Sequence, residues 1–183
     1  MIIYIHGFGS SGFGGKAKLF KEHFKDNIIM PSLSYVPSLA IHTLEQLIEL
    51  FLKKGEKVSL IGSSLGGYYS MYLANKFGLK AVLINPATTP YKTLDKIGMA
   101  TNYFDLSSFE VTQEHMQALK FLEVKTFKNQ QNFLLLLQTG DELLNYKDAL
   151  KKLPQAPRIV QEGGDHSFVN IDDYFDEIAD FVK

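Results

Sequence analysis

Short apolar runs, often β-branched, alternate along this chain with segments of helical spacing, and this alternation constrains the fold most. Several runs are continuous rather than alternating between apolar and polar residues, which is typical of strands covered on both faces. Because parallel strands need a crossover between them, the pattern favours a mostly parallel, doubly wound sheet between two layers of helices. The predicted strands span residues 2–5, 28–30, 58–61, 81–84, 133–137 and 158–161.

Four segments have the apolar spacing of helices that pack on such a sheet, at residues 16–25, 44–52, 64–77 and 171–182. Gly55 and Gly78 follow two of these segments, and glycine commonly ends a helix at such positions. With 183 residues, the chain has the size of one domain. We therefore predict a single α/β domain over residues 1–183, a three-layer α/β/α sandwich with a sheet of about six strands.

Residues 88–131 do not follow the alternation, because they contain turn signals and one predicted helix, residues 112–122, but no clear core strand. A connection of this length is uncommon in a compact domain and often forms a lid or a binding loop. We interpret it as a small cap inserted over the functional site. The alternative is an ordinary surface excursion that has no part in function.

The charge balance and the composition argue against several classes of function. The net charge is −1 without a cluster of lysine and arginine, so nucleic acids and anionic membranes are not expected partners. The chain has no cysteine, which excludes disulfides, thiolate metal sites and cysteine nucleophiles and fits a reducing compartment. No signal peptide is evident, and the longest apolar run, residues 133–137, is too short for a membrane span. We predict a cytoplasmic protein.

The stretch GSSLG, which directly follows the predicted strand 58–61, is the most informative motif. It matches G-x-S-x-G with Ser64 in the central position, since only Ser64 has a glycine two places away on each side. The pattern is typical of a sharp turn from strand to helix that exposes a strained serine at the edge of a sheet. The positions of Gly62 and Gly66 are expected to require small residues, because larger side chains there would collide across the turn. The alternative is a glycine-rich turn whose serines have no chemical role.

A serine hydroxyl needs a general base, and the base needs a carboxylate that orients it. In folds with this turn, the chain order is nucleophile, acid, histidine. Asp141 follows the predicted strand 133–137 and a turn, and His166 follows the strand 158–161 and a glycine turn. Because both lie after strands, at the same edge of the sheet as Ser64, we predict that the three residues form a catalytic triad.

Other carboxylates and histidines are alternatives. Glu142 and Asp165 are adjacent to the predicted acid and base, and Asp105 lies in the predicted cap. Asp141 also has a purely structural interpretation, as the N-cap of a helix within ELLNYKDAL. His6 precedes the serine and so breaks the expected order, whereas the histidines at positions 23, 42 and 115 occur in polar or helical contexts.

The first predicted strand runs into His6-Gly7-Phe8-Gly9, a loop that suits an oxyanion hole. A backbone N–H there can join the N–H of the residue after the nucleophile, and the glycines allow a close approach. We predict that Phe8 and Leu65 supply the two N–H groups and that His6 and Gly7 support the loop. A phosphate-binding glycine loop is the weaker alternative, because neither G-x-x-x-x-G-K-[ST] nor G-x-G-x-x-G is satisfied.

Six motifs occur in order over nearly the whole chain: YIHGFGSS, LIGSSLGGYYS, NPA at residues 85–87, QTGDELLNY, EGGDHSF and DDYFDEIADF. With them the sequence resembles the α/β-hydrolase superfamily and, more narrowly, the small bacterial YqiA-type esterases. The resemblance implies a minimal α/β-hydrolase fold without the first strands of larger relatives. It also implies Ser64, Asp141 and His166 as the triad, and activity on carboxylic esters or acyl thioesters. Neither a metal nor an organic cofactor is expected.

The sequence supports three functional hypotheses. The first is a serine carboxylesterase that cleaves small-molecule acyl esters through an acyl-enzyme. The second is an acyl-CoA thioesterase, or an acyltransferase, that uses the same serine. The third is a non-catalytic small-molecule binding protein with a hydrolase-like fold, which is expected to lose a triad member or an elbow glycine. This chain retains all of these residues, and the pattern therefore favours the esterase.

Overall fold

The computed structural model describes residues 1–94 and 98–183 of the chain. The strands are β1 (Ile2–Ile5), β2 (Ile28–Ile29), β3 (Ser59–Ser63), β4 (Lys80–Ile84), β5 (Met99–Thr101), β6 (Ser108–Glu110), β7 (Phe133–Gln138) and β8 (Arg158–Gln161). The α-helices are α1 (Gly15–Phe24), α2 (Pro37–Lys53), α3 (Leu65–Phe77), α4 (Pro90–Thr93), α5 (Gln113–Phe121), α6 (Tyr146–Lys152) and α7 (Phe175–Val182). Short 3₁₀ helices span Lys25–Asn27, Gln130–Asn132 and Ile171–Tyr174.

Six strands form one sheet in the order β2-β1-β3-β4-β7-β8, and every neighbouring pair in it is parallel. These are the six predicted strands, so the predicted sheet is confirmed. The strand order reverses beside β1, because β2 lies on one side of it and β3 on the other. In open parallel sheets, such a reversal leaves a crevice at the carboxyl ends of the two strands that flank it.

Alternate side chains of the strands face two separate apolar cores, one on each side of the sheet. In β7, Leu135 and Leu137 face the core that α2, α3, α5 and α6 cover, whereas Leu134 and Leu136 face the core that α1 and α7 cover. Both faces of the strand are apolar because both are covered, which explains the continuous apolar runs in the sequence. The predicted three-layer α/β/α sandwich is therefore confirmed.

Residues 88–131 contain α4, the β5–β6 hairpin and α5 outside the main sheet, and residues 95–97 of this segment lie outside the described part. The predicted helix 112–122 corresponds to α5, but the hairpin has no counterpart in the prediction. Its strands are three residues each and mostly exposed, so they lack the apolar run of a core strand. The hairpin packs on the loop after β1, where Tyr103 N donates to Gly9 O over 2.7 Å.

Within residues 1–94 and 98–183, no helix combines the length and the apolar character that a membrane crossing requires. The predicted cytoplasmic location stays a prediction.

Candidate active site

The candidate site lies in the crevice where the strand order reverses beside β1. The loop after β1 and the turn after β3 meet there, since a carbon added at Gly7 as a side chain would lie 3.2 Å from Ser64 Cβ. Asp141 follows β7 and His166 lies in the loop after β8, so both reach the same edge of the sheet. A cavity of about 570 Å³ opens at this point. The predicted site residues that line it are Gly7, Phe8, Ser64, Leu65 and His166.

Ser64 has a strained backbone conformation at the turn between β3 and α3. Its φ of 54° and ψ of −118° are rare for a residue with a side chain. Such a conformation costs about 1–3 kcal/mol, which the surrounding structure must offset. The N–H groups of Gly67, Tyr68 and Ala87 donate to the Ser64 carbonyl at distances between 3.0 and 3.3 Å and hold the turn. The strand–turn–helix context of G-x-S-x-G is therefore present.

Close contacts require both glycines of the turn, although for different reasons. A Cβ at Gly62 would collide with the backbone of Gly66 and with the Ser70 hydroxyl, as a collision across the turn predicts. A Cβ at Gly66 would collide first with the Ile5 carbonyl, because α3 begins against the end of β1. The sequence predicts a collision across the turn for both glycines, but the main contact of Gly66 is with β1. The spacing of residues within one turn carries no information about this neighbouring strand.

The structure brings Ser64, His166 and Asp141 together in one continuous line of hydrogen bonds. His166 Nε2 lies 2.9 Å from Ser64 Oγ, and His166 Nδ1 lies 3.0 and 2.9 Å from the two carboxylate oxygens of Asp141. A carboxylate only accepts hydrogen bonds, so Nδ1–H donates to Asp141 and the neutral ring accepts from the Ser64 hydroxyl through Nε2. In this tautomer, the imidazole is able to take a proton from the serine.

Asp141 is held by backbone groups as well as by His166. Its side chain is 2% exposed, and its Oδ1 accepts from Leu143 N and Leu144 N at 2.9 and 2.8 Å. The alternative interpretation as the N-cap of the following helix is wrong, because α6 begins at Tyr146 and Asn145 caps it. Asp141 instead caps the turn directly after β7. The contacts that fix this turn therefore also fix the carboxylate beside the imidazole.

The other candidate carboxylates have different partners. Glu142 Oε2 accepts from the backbone N–H of His166 over 3.0 Å, so it contacts the histidine loop rather than the imidazole. Asp165 accepts from the hydroxyl of a nearby serine over 2.6 Å. Asp105 lies in the exposed turn between β5 and β6. In the described part of the chain, Asp141 is the carboxylate that hydrogen bonds to the imidazole.

His6, Phe8 and Leu65 lie beside the turn that carries the serine. His6 is buried, its Nδ1–H donates to Gly7 O over 2.8 Å, and its Nε2 accepts from Leu33 N over 3.0 Å. Burial lowers the pKa of His6, and the bond to the Gly7 carbonyl opposes this shift only in part. Leu65 begins α3, and N–H groups in the first turn of a helix have no acceptor within the helix. The assignment of Phe8 and Leu65 to an oxyanion hole stays a prediction.

The buried amide side chains of Gln138 and Asn85 hold the loop that carries His166 against the sheet. Neither residue is predicted from the sequence to have a role in the site. Gln138, the last residue of β7, donates through Nε2 to Gln161 Oε1 and Val169 O, and its Oε1 accepts from Asp165 N and Val169 N. Asn85 follows β4, accepts from Gln138 N and donates to Asp165 O. These bonds measure between 2.7 and 3.0 Å. The sequence signal for both is a polar residue at the end of an apolar strand.

Replacing Gln138 by leucine is expected to lower the free energy of unfolding by about 3 kcal/mol, because buried backbone groups lose their hydrogen-bond partners. Urea denaturation of the variant beside wild type measures this difference. Gln117→Leu, an exposed change on α5, is the matched control and is expected to change the free energy by less than about 0.5 kcal/mol. If Gln138→Leu costs no more than this control, the side chain does not hold the loop.

The cavity also contains a cation to which the sequence analysis gives no role. Lys16 Nζ donates to Ser63 Oγ over 2.8 Å, and both residues line the cavity beside Ser64. Burial lowers the pKa of Lys16 to about 8, and the nearby carboxylates of Asp165 and Asp141 oppose this shift. No signal in the sequence separates Lys16 from the exposed lysines near it, because only the packing of α1 on the sheet places its ammonium at the end of β3.

The ionisable side chains that line the cavity include His166, Lys16 and Tyr4. Tyr4 is buried, and burial raises the pKa of its phenol above the ordinary value. Among the described residues, no three or more histidine, aspartate or glutamate side chains are grouped so that they could hold a metal ion. The expectation that the site uses neither a metal nor an organic cofactor stays a prediction.

The chain is similar to known proteins along its whole length. Residues 1–183 match the model of the Uncharacterised protein family (UPF0227). The UPF0227 protein YcfP of Escherichia coli O9:H4 (strain HS) is 29% identical over 188 aligned positions, which cover 99% of this chain and 98% of that protein. A family match over the full length shows membership of the family.

Two solved structures align with nearly all of this chain at low sequence identity. Alpha/beta hydrolase domain-containing protein 10 from mouse is 20% identical, has a TM-score of 0.70, and covers 97% of this chain and 90% of its own. Paleococcus ferrophilus monoacylglycerol lipase is 16% identical, has a TM-score of 0.69, and covers 99% of this chain and 93% of its own. Identity at this level is evidence for the fold alone. The chain therefore belongs to the UPF0227 family and has the α/β-hydrolase fold, in agreement with its resemblance to the YqiA-type esterases.

Proposed function

We propose that this protein is a serine hydrolase that cleaves carboxylic esters of small molecules, with Ser64 as nucleophile, His166 as general base and Asp141 as the orienting acid. The observation that carries the proposal is the unbroken line of hydrogen bonds from the Ser64 hydroxyl through the imidazole to the buried carboxylate. A strained serine, a base within hydrogen-bond distance and an oriented base are the three elements that nucleophilic catalysis needs.

In the first half of the reaction, Ser64 Oγ attacks the ester carbonyl carbon while His166 Nε2 takes the hydroxyl proton. The carbonyl oxygen becomes an oxyanion, which the N–H groups of Phe8 and Leu65 stabilise. The bond to the leaving alcohol then breaks, and the imidazolium returns the proton to the alcohol oxygen. In the second half, His166 takes a proton from water as the water attacks the acyl-enzyme. The acid is released and Ser64 regains its proton.

The lining of the cavity and the similarity to one structural neighbour support an acyl substrate. Pro90, Thr93, Leu94 and Tyr103, from the segment 88–131, form part of the cavity wall. We therefore retain the proposal that this segment is a cap over the site, since it supplies one side of the space that an acyl group would fill. The similar Paleococcus ferrophilus protein is a monoacylglycerol lipase, an enzyme that cleaves an acyl ester.

Covalent labelling with a fluorophosphonate tests the proposal, because this reagent phosphonylates a serine that a neighbouring base activates. We expect a single adduct, which peptide fragmentation places on Ser64 and not on the adjacent Ser63. Ser64→Ala is expected to abolish the label. Ser38→Ala, an exposed serine on α2, is the control and is expected to label like wild type.

A folded wild-type protein that takes up no label, and hydrolyses neither esters nor acyl thioesters, would contradict the proposal and favour the non-catalytic binding protein. Matched oxygen esters and acyl-CoA thioesters with the same acyl group decide the reaction class within the hydrolases. We expect the higher kcat/KM on the oxygen ester. A clear preference for the thioester would move the assignment to an acyl-CoA thioesterase with the same residues in the same roles.

A further inference from the structure

The ammonium of Lys16 reaches the wall of the active-site cavity from α1. It donates to Ser63 Oγ over 2.8 Å, and Ser63 is the residue that directly precedes the nucleophile. Asp141, the predicted acid of the triad, is one of the two carboxylates whose charge raises the pKa of Lys16, so the cation lies close to the triad. Lys16 and Ser63 both line the cavity that Ser64 and His166 line. A substrate in this cavity therefore meets a positive charge near its scissile bond.

The protein compensates this charge only in part, through the nearby carboxylates of Asp165 and Asp141. Within residues 1–94 and 98–183, however, Lys16 forms no ion pair with a carboxylate within 4 Å, and the hydrogen bond that its ammonium makes is the one to Ser63. An ammonium has three N–H donors, so two of them are available to a ligand. Moving a charged group out of water is unfavourable unless it is paired, and a partner inside the cavity would therefore be bound favourably.

We propose that Lys16 is a specificity residue that binds an anionic group of the substrate, so that the preferred ester carries a carboxylate close to its scissile bond. The proposal rests on the proposed ester hydrolysis and deepens it, because it names the class of ester. The chemistry that fits is a charge-assisted hydrogen bond from Nζ to a carboxylate oxygen, which is stronger than a bond between neutral groups.

The pH dependence of this preference follows from the titration of Lys16. Its pKa is about 8, so the ammonium is present below pH 8 and is lost as the pH rises through that value. The other ionisable groups around it are Asp141 and Asp165, which raise its pKa, together with His166, Tyr4 and Tyr103, which line the same cavity. His166 is the general base for every ester, so its contribution is the same for both members of a matched pair. The ratio of kcat/KM for an anionic and a neutral ester therefore isolates Lys16.

The experiment compares matched esters that differ in one charge. On the acyl side, the pair is 4-methylumbelliferyl hydrogen adipate and 4-methylumbelliferyl hexanoate, whose acyl chains have the same length. On the alcohol side, the pair is 4-carboxyphenyl butyrate and 4-carbamoylphenyl butyrate. We expect wild type to prefer the anionic member of one pair at pH 7, which shows on which side of the ester the anion lies. This preference is expected to fall as the pH rises from 7 to about 9.

Variants at position 16 connect the preference to the ammonium. Lys16→Met is expected to lower the anionic-to-neutral ratio of kcat/KM about 10- to 100-fold, the effect of one charge-assisted bond. Lys16→Arg keeps the charge and is expected to retain most of the preference. Lys18→Met, an exposed change on the same helix, is the control and is expected to leave the ratio unchanged. Thermal unfolding of each variant shows whether it is folded.

Three outcomes overturn the inference and leave the proposed hydrolysis standing. Wild type prefers neither anionic ester, or Lys16→Met lowers kcat/KM for both members of a pair equally, or the preference does not change with pH. The inference is separable from catalysis, because titration calorimetry with Ser64→Ala measures binding of the same esters without turnover. If the Ser64→Ala protein binds the anionic ester more tightly than the neutral one, and adding Lys16→Met removes this difference, the inference is supported even when wild type hydrolyses no ester. The absence of hydrolysis would then contradict only the proposed function.

Discussion

Ser64→Ala is expected to lower kcat for a short acyl ester about 10⁶-fold, because the nucleophile, the base and the acid act as a unit. The alanine methyl group cannot form the acyl-enzyme, and His166 Nε2 loses the hydroxyl that lies 2.9 Å from it. The remaining rate comes from binding and from the backbone N–H groups near the carbonyl. Initial rates with 4-nitrophenyl butyrate, measured at saturating substrate for wild type and variant, give the ratio directly.

Ser38→Ala is the matched control, since it removes a hydroxyl from an exposed position on α2, far from the triad in sequence. Its kcat is expected to equal that of wild type. The change at Ser64 preserves the folded structure, because alanine fits wherever the serine fits and the hydrogen bonds to the residue 64 carbonyl remain. If folded Ser64→Ala protein retains more than about one hundredth of the wild-type kcat, another nucleophile is at work and the assignment fails.

The main sheet is predictable from the sequence because its strands are covered on both faces. Burial of both faces makes the central strands mostly apolar runs, and in β7 the six residues Phe133–Gln138 are all buried. The positions of Ser64, Asp141 and His166 follow from the same regularity, since each comes after a strand and the carboxyl ends of parallel strands meet at one edge. The sequence thus places three distant residues together without any information on contacts.

Other features depend on tertiary contacts that leave no periodic signal. The β5–β6 hairpin pairs only three residues on each strand and is fixed by the loop after β1, where its Tyr103 N–H meets Gly9 O. Lys16 is one of several lysines on α1, and only the tilt of the helix selects it for the cavity. Gln138 looks like the polar end of a strand, although its side chain makes hydrogen bonds to β8 and to the loop that follows β8.

The predicted and the unpredicted residues of the site have different roles. The predicted residues are those to which we assign the chemistry, because chemistry restricts which residue types can serve and in which order they occur. The unpredicted ones hold neighbouring segments in place, for which many residue types can serve. Asn85 and Gln138, for example, fix the loop of His166 through their side-chain hydrogen bonds. A mutation at any of them changes the position of a reacting group without removing it.

Asp141→Asn is expected to lower kcat about 10⁴-fold, the loss that a wrong histidine tautomer causes in a Ser-His-Asp triad. Asp141 accepts from His166 Nδ1 and from Leu143 N and Leu144 N. An asparagine carbonyl oxygen still accepts from the two backbone groups, which leaves its amide N–H₂ facing the imidazole. Nδ1 must then accept, so the proton moves to Nε2, and Nε2 can no longer accept the proton of Ser64.

Steady-state kinetics with 4-nitrophenyl butyrate measure this loss, and Asp148→Asn, an exposed change on α6, is the control with an expected kcat equal to wild type. Thermal unfolding separates the tautomer effect from instability, because the carbonyl of asparagine keeps the turn after β7 capped. A folded Asp141→Asn protein with a loss of less than about 10-fold would show that the tautomer of His166 is set by another group. Glu142, which contacts only the backbone N–H of that histidine, would then be the carboxylate to replace next.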